Sequence, residues 1–382
     1  MATKYISLSN LPDTIKNEIK TIQNANQVEQ LSLFIDNQST LSGFENSISN
    51  TFNAYDLWSR FIRNQRKLVK ISEAPNRVVV SRSISDKLEG VTYEGKLEIA
   101  PALIVGKDED YFAWPSDREE KVERALIRLA SQGKIAKISG KMGDRYAVYF
   151  SIKEIANELK SVNQTLSFAE IKQALQILKG SELNFKYQVT NQAGEQHYSE
   201  SKMNYLSSIH FSGQQGKSTV KCLAVLNEFM SQQIESIGYR GFYFNRAQSF
   251  KRTLSRWLTL RLYHMFRYAS VGKTHHFLLK KTMIKFGSID SEDIKKSRLT
   301  AIRRDMANTM KDLIEADILD SYEIDNIKDD EGNIVDYKYE LCPSVSFCAE
   351  ILSLNKHNKK ITEKAKVLDE QELQYDLHDH GL

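Results

Sequence analysis

Proline, cysteine and long apolar runs are all scarce in this chain, and each scarcity excludes something. Five prolines in 382 residues leave no room for a Pro-rich linker and suit a chain of helices with some hairpins. Three cysteines, Cys222, Cys342 and Cys348, show no CxxC spacing. They make no disulfide framework and read as reduced residues of a cytoplasmic protein. No apolar run approaches the ~20 residues of a membrane span. The opening MATKYISLSNLPDTIKNEIK also lacks the apolar core of a secretion signal. A length of 382 residues, with 41% hydrophobic and 27% charged residues and a mean hydropathy of −0.46, suits two domains with cores plus tails.

A missing glycine excludes a nucleotide. GQQGKST, residues 213–219, ends as a phosphate-binding loop does, but that loop needs a glycine five positions before Gly216, and Phe211 stands there. The stretch reads instead as a Gly/Gln/Ser connector, and no cofactor is expected. His378-Asp379-His380, near Tyr375, lacks the hydrophobic middle residue of a nuclease metal pair, and His275-His276 has no Cys, Asp or Glu spaced to complete a metal site. No local Ser/His/Asp or Cys/His set stands out. The chain reads as a non-enzyme.

Carboxylates are missing from residues 236–289, which hold Arg240, Arg246, Lys251, Arg252, Arg256, Arg261, Arg267, Lys273, Lys280, Lys281 and Lys285. Against a net charge of only +4, one sign sustained over that length suggests phosphate contacts and hence nucleic acid. Farther on the sign reverses, through Asp312, Glu315, Asp317, Asp320, Glu323, Asp325, Asp329, Asp330, Glu331, Asp336 and Glu340.

What is present has a repeated order. Residues 1–50 read as a polar, flexible segment. Residues 51–94 read as an amphipathic helix, NAYDLWSRFIRNQRKLVKI, with an extended lead-in. Over 95–212, Ser116/Glu119, Ser151/Glu154 and Ser167/Glu170 have capping-box spacing and open three helices. Val122, Ala125, Leu126 and Leu129 line the first and Phe168, Ile171, Leu175 and Leu178 the third. IAKISGKMGDRYAVYFS is a strand pair turned at Gly143-Asp144, and ELNFKYQVT with HYSESKMNYLSSIHF makes a hairpin. Helix, turn, helix, hairpin is the order of a winged helix-turn-helix. After the connector at 213–217 it recurs over 218–345: a long basic helix bearing Leu254, Trp257, Leu258, Leu262 and Met265, a short strand and helix, a second full helix at RLTAIRRDMANTMKDLIEADI, and a hairpin turned at KDDEGN. Residues 346–382 read as a charged, flexible tail. The expectation is an α+β chain, mainly helical, of two tandem winged helix-turn-helix domains.

The helical faces nominate DNA contacts. Burying Leu299, Ile302, Met306, Met310 and Leu313 turns Thr300, Arg303, Arg304 and Asn308 outward, with Arg298 beside them. Arginine has the planar fork suited to guanine or phosphate. Lys251, Arg252, Arg256 and Arg261 are expected to rest on the DNA backbone, with Lys280 and Lys281 nearby. An alternative pairs some of these arginines with the acidic hairpin at 323–331. In the first half Lys172, Gln173, Gln176 and Lys179 face outward, either to read bases or to form a dimer interface.

Two runs carry a family resemblance. The aromatic-Pro-x-x-Arg-Glu-Glu-x-Val-Glu-x-Ala-Leu lead-in of WPSDREEKVERAL, followed by the Ala-Leu-x-x-Leu of SFAEIKQALQILKG, and the later YRGFYFNRAQSFKRTLSRWLTLRLYHMF resemble plasmid replication initiators of the iteron-binding Rep type, over roughly residues 95–345. The Asn-rich start and charged end depart from that pattern. The resemblance implies two winged-helix domains and binding of double-stranded DNA at direct repeats (iterons) in a plasmid origin. It also implies help in melting an adjacent A+T-rich element and recruitment of the host initiator and replicative helicase, with no ATPase. It implies further a homodimer in equilibrium with monomer, and repression of the chain's own gene. A tandem winged-helix transcriptional regulator is the rival reading.

Overall fold

In the computed structural model the described residues are 33–34, 48–53, 55–63, 68–73, 79–88, 90–106, 108–138, 145–212, 221–267 and 272–379, the last twelve as backbone alone. Most of residues 1–50, the turn at Gly143-Asp144, the connector at 213–217, all of GQQGKST, and His380 lie outside them.

Three serine–glutamate pairs start helices where their spacing puts them. Helix α1 (Asp117–Ser131), α2 (Ile152–Ser161) and α3 (Phe168–Gly180) each open on a complete capping box. In α2 the Ser151 amide donates to Glu154 Oε2 at 2.8 Å while the Glu154 amide donates back to Ser151 Oγ at 3.3 Å. The predicted inward residues of these helices are buried except Phe168, which is 51% exposed because it sits in the first turn, beyond the end of the core.

Strands take up more of the chain than its proline-poor composition suggests. Before α1 come β1 (Ile48–Phe52), β2 (Leu68–Lys70), β3 (Val80–Leu88), β4 (Val91–Ala100), β5 (Ala102–Ile104) and β6 (Tyr111–Ala113). Then follow β7 (Ile135–Ile138), β8 (Arg145–Ser151), β9 (Glu182–Thr190), β10 (Gln196–Asn204), β11 (Leu206–Ser212) and β12 (Lys221–Leu226). The second half contains α4 (Glu228–Glu235), β13 (Tyr239–Tyr243), α5 (Phe244–Gln248), α6 (Thr253–Met265), β14 (His275–Leu278) and α7 (Leu279–Phe286). It continues through α8 (Lys296–Glu315), β15 (Leu319–Lys328), β16 (Ile334–Pro343) and α9 (Val345–Asp379).

The described strands form five sheets, ordered β1-β13, β10-β9-β4-β3, β11-β12-β8-β7, β14-β16-β15 and β2-β6-β5. Every described pairing is antiparallel. At 40% helix and 35% strand the chain is a mixed α+β fold. That overturns the expectation of a mainly helical chain, while the α+β class stands. The excess comes from the region before α1. There β3 buries Val80, Arg82, Ile84 and Asp86 at every second position, a period of two that a helix cannot satisfy.

Nor does the NAYDLWSRFIRNQRKLVKI helix form: among its described residues, 55–63 are turns and irregular chain and 68–70 are β2. Its periodic apolar residues Leu57, Trp58, Phe61 and Ile62 are buried, but so are polar residues on the opposite side. Arg60 Nη2 lies 2.7 Å from Asp56 Oδ1 and Nη1 3.0 Å from Glu123 Oε1, and Arg124 Nη1 lies 2.8 Å from Asp56 Oδ2. Burial pushes the Asp56 pKa up, but Arg124 and Arg60 outweigh it and hold the carboxyl far below its usual range.

Two large apolar cores result, with smaller clusters beside them. The first gathers Leu126, Ile155, Leu175 and Phe185 and the second Trp257, Leu258, Met306 and Tyr339. β12 pairs with both β11 and β8, so the chain re-enters the first sheet after residues 213–220 and does not cross there to a second unit. The passage between cores lies at β13, which pairs with β1. Residues 345–379 are helical, and α9 packs Phe347, Ile351, Leu354, Ile361 and Ala365 inward at helical spacing. No described helix is long and apolar enough to cross a membrane.

Candidate nucleic-acid interface

Helix α8 is packed by Leu299, Ile302, Met306, Met310 and Leu313, all buried. Their spacing leaves Thr300 and Arg304 exposed and Asn308 half-buried on the opposite side, with Arg303 exposed at the edge of the packed face. The helix also starts two residues before Arg298, which brings Lys295 and Lys296 into its exposed first turn. Sequence reasoning passed over both lysines, although the KKSR run was the signal. Lys295, Lys296, Arg298, Arg303 and Arg304 are therefore five exposed cations with no carboxylate among them before Asp305. Glu292 and Asp293 lie just upstream.

The start of α8 differs from those of α1–α3. No side chain caps it, its N-cap is Lys295, and its first turn holds no acid. Cations at the positive end of a helix dipole oppose folding and favour an approaching anion. Arg304 makes no hydrogen bond, ion pair or ring contact with the described residues. Arg298 Nη2 donates to the Ser288 carbonyl at 2.7 Å and Thr300 Oγ1 to the Lys296 carbonyl at 3.0 Å. Arg303 lies against Tyr337, its Nη1 3.3 Å from the phenol oxygen. None of the described α8 arginines pairs with a carboxylate of the hairpin at 323–331.

The acid-free run behaves differently. Helix α6 is buried nearly all round, so it is no surface helix. Arg256, 4% exposed, donates through Nη1 to the Phe250 and Lys251 carbonyls at 2.5 and 3.0 Å and through Nη2 to Asp117. Arg261 reaches Asp86 at 2.6 Å, and Lys285 reaches the same oxygen at 2.7 Å. Arg246 pairs with Glu350 at 2.6 Å and Arg252, itself half exposed, with Asp312. The expectation that Arg256 and Arg261 rest on DNA is thus corrected. Their carboxylates are distant in sequence and close in space, and the pairs join the two cores. Lys251, Lys273 and Lys281 remain exposed, and Lys280 is half-buried.

On α3, Lys172 and Gln176 are exposed and Lys179 is half-buried; Lys172 Nζ lies 5.3 Å above the Phe211 ring. Gln173 is committed at both ends: Oε1 accepts from Arg118 Nη1 at 2.9 Å and Nε2 donates to Tyr111 Oη at 2.8 Å. It is not free to read a base without breaking both bonds.

No protein-family model matches the chain, and no curated protein sequence does. Solved structures overlap it loosely. Domains 2 and 3 of RctB match at a TM-score of 0.42 and 12% identity, covering 75% of this chain and 96% of that one. A second RctB structure, of residues 155–483, matches at 0.42 and 11%, covering 78% and 99%. The Pi initiator protein in complex with iteron DNA matches at 0.38 and 10%, covering 59% and 91%. Similarity at this level establishes neither family nor function, so the chain's own charges have to decide.

Proposed function

We propose that this chain is a plasmid replication initiator that binds double-stranded DNA at direct repeats in an origin. In this reading it helps melt an adjacent A+T-rich element, recruits the host initiator and replicative helicase, and represses its own gene. It acts by binding, without catalysis, cofactor or metal, as a cytoplasmic homodimer in equilibrium with monomer. The observation that carries DNA binding is the exposed, acid-free run of cations at residues 295–304, at the start of α8, beside a basic run whose arginines are largely consumed inside the fold. Five exposed cations within the first turns of one helix, with an uncapped helix start among them, suit a phosphate backbone and arginine readout of base edges. The replication role is supported by the WPSDREEKVERAL lead-in and the segment around Arg256-Trp257.

A plasmid whose sole origin is the gene with its flanking repeats tests the whole reading. Maintenance with the intact chain, and loss with Arg303→Ala/Arg304→Ala supplied at equal level, is the expected outcome. Maintenance with the double variant, or no maintenance with the intact chain, contradicts it.

A further inference from the structure

We infer that Tyr337, on the hairpin and not on α8, positions Arg303 for sequence reading; this rests on the proposed DNA interface. The Arg303 guanidinium carbon lies 4.4 Å from the centre of the Tyr337 ring, and its Nη1 donates to the phenol oxygen at 3.3 Å. Tyr337 is 7% exposed and part of the second core. Its backbone is fixed as well. The Tyr337 amide donates to Asp336 Oδ1 at 2.8 Å, and the same oxygen accepts from the Lys280 amide at 3.1 Å, which ties β16 to the start of α7. The ring is therefore a rigid plate that holds an exposed arginine in place.

A stacked guanidinium keeps most of its N–H donors for a base edge and has less rotamer freedom left to lose on binding. Arg304, its neighbour, has no such partner. The pair then divides the work: the ordered Arg303 discriminates bases, and the mobile Arg304 follows phosphate. The hairpin itself is a poor phosphate contact. Asp320, Glu323, Asp325, Asp329, Asp330 and Glu331 are all exposed on it, and they repel a DNA backbone. Its contribution to recognition runs through Tyr337.

The test uses the full chain with the duplex that the wild type enriches from a randomised 20-bp library, and a scrambled duplex of the same composition. Arg303→Ala should weaken the enriched duplex about tenfold relative to the scrambled one. Tyr337→Leu should weaken it about two- to fivefold and Tyr337→Phe, which keeps the ring, less than twofold. In the Arg303→Ala background Tyr337→Leu should change nothing further. Equal losses in both backgrounds, or equal losses on both duplexes, overturn the role of Tyr337. If Arg303→Ala binds like wild type, the interface on α8 is what fails. Should Tyr337→Leu unfold, relaxation of the arginine Nε–Hε groups in the wild type decides. A rigid Arg303 beside a mobile Arg304 supports the inference, and equal mobility overturns it.

Discussion

Asp86→Ala leaves two cations without their counter-ion between the two cores. In the intact chain Arg261 Nη2 and Lys285 Nζ approach the same Asp86 oxygen at 2.6 and 2.7 Å, with Asp86 7% and Arg261 11% exposed. Removing one partner of a buried pair costs roughly 3–5 kcal/mol, because the other charge stays desolvated. Lys285 tempers this. It is 29% exposed, and burial, with Arg261 beside it, already lowers its pKa against the pull of Asp86. Without Asp86 it sheds its proton more readily, so about 3 kcal/mol is expected, a large share of the ~5–15 kcal/mol that holds a domain. The sign follows from linkage. A lysine depressed in the fold but normal when unfolded loses stability as pH falls below about 10.4, so the variant should recover as pH rises from 7 toward 10. Urea unfolding followed by tryptophan fluorescence is the assay, since Trp58 and Trp114 report the first core and Trp257 the second. Adding Lys285→Met to Asp86→Ala should restore part of the loss. A cost below about 1 kcal/mol at pH 7 refutes the view that these ions hold the cores together.

His264 is buried, with Nε2 3.1 Å from Thr51 Oγ1. Burial first, then Arg240, Arg124 and Arg261 against the opposing Asp56, pushes its pKa down to about 3. Above pH ~6.5 the residue is neutral in both states. Below it the unfolded chain takes a proton that the fold refuses, so stability should fall by about 2 kcal/mol between pH 6.5 and 5. The test is urea midpoints for His264→Gln, which should show a shallower decline than wild type; parallel declines contradict the assignment. Gly287 ends α7 at φ 83, and a Cβ there meets Ser59 Oγ at 2.5 Å. Gly287→Ala should therefore cost about 1–3 kcal/mol, read by thermal melting, and a neutral effect contradicts it.

Local signals in the sequence predicted local structure well. The capping boxes at Ser116, Ser151 and Ser167 work through residues three apart, and the inward face of α8 follows from a period of 3.6; neither needs tertiary information. Pairing over distance left no such mark. The acid-free stretch reads as a surface field only if its arginines are solvated, and nothing near Arg256 or Arg261 reveals that Asp117 and Asp86 will meet them. Residues 53–63 mislead in the same way. Their amphipathic pattern assumes that Asp56 and Arg60 face water, whereas Glu123 and Arg124 draw them into the core. Lys295 and Lys296 were legible as charges but not as part of α8, because no cap residue marks that helix start.

The claim that the α8 face grips DNA, and that the buried run does not, is tested most directly by binding measured against salt for Arg304→Ala and Arg256→Ala. Arg304→Ala should weaken binding and flatten the slope of log K against log salt by about one unit. Arg256→Ala should leave that slope unchanged while lowering stability. A wild-type slope and affinity in Arg304→Ala, or a flattened slope in folded Arg256→Ala, contradicts the account.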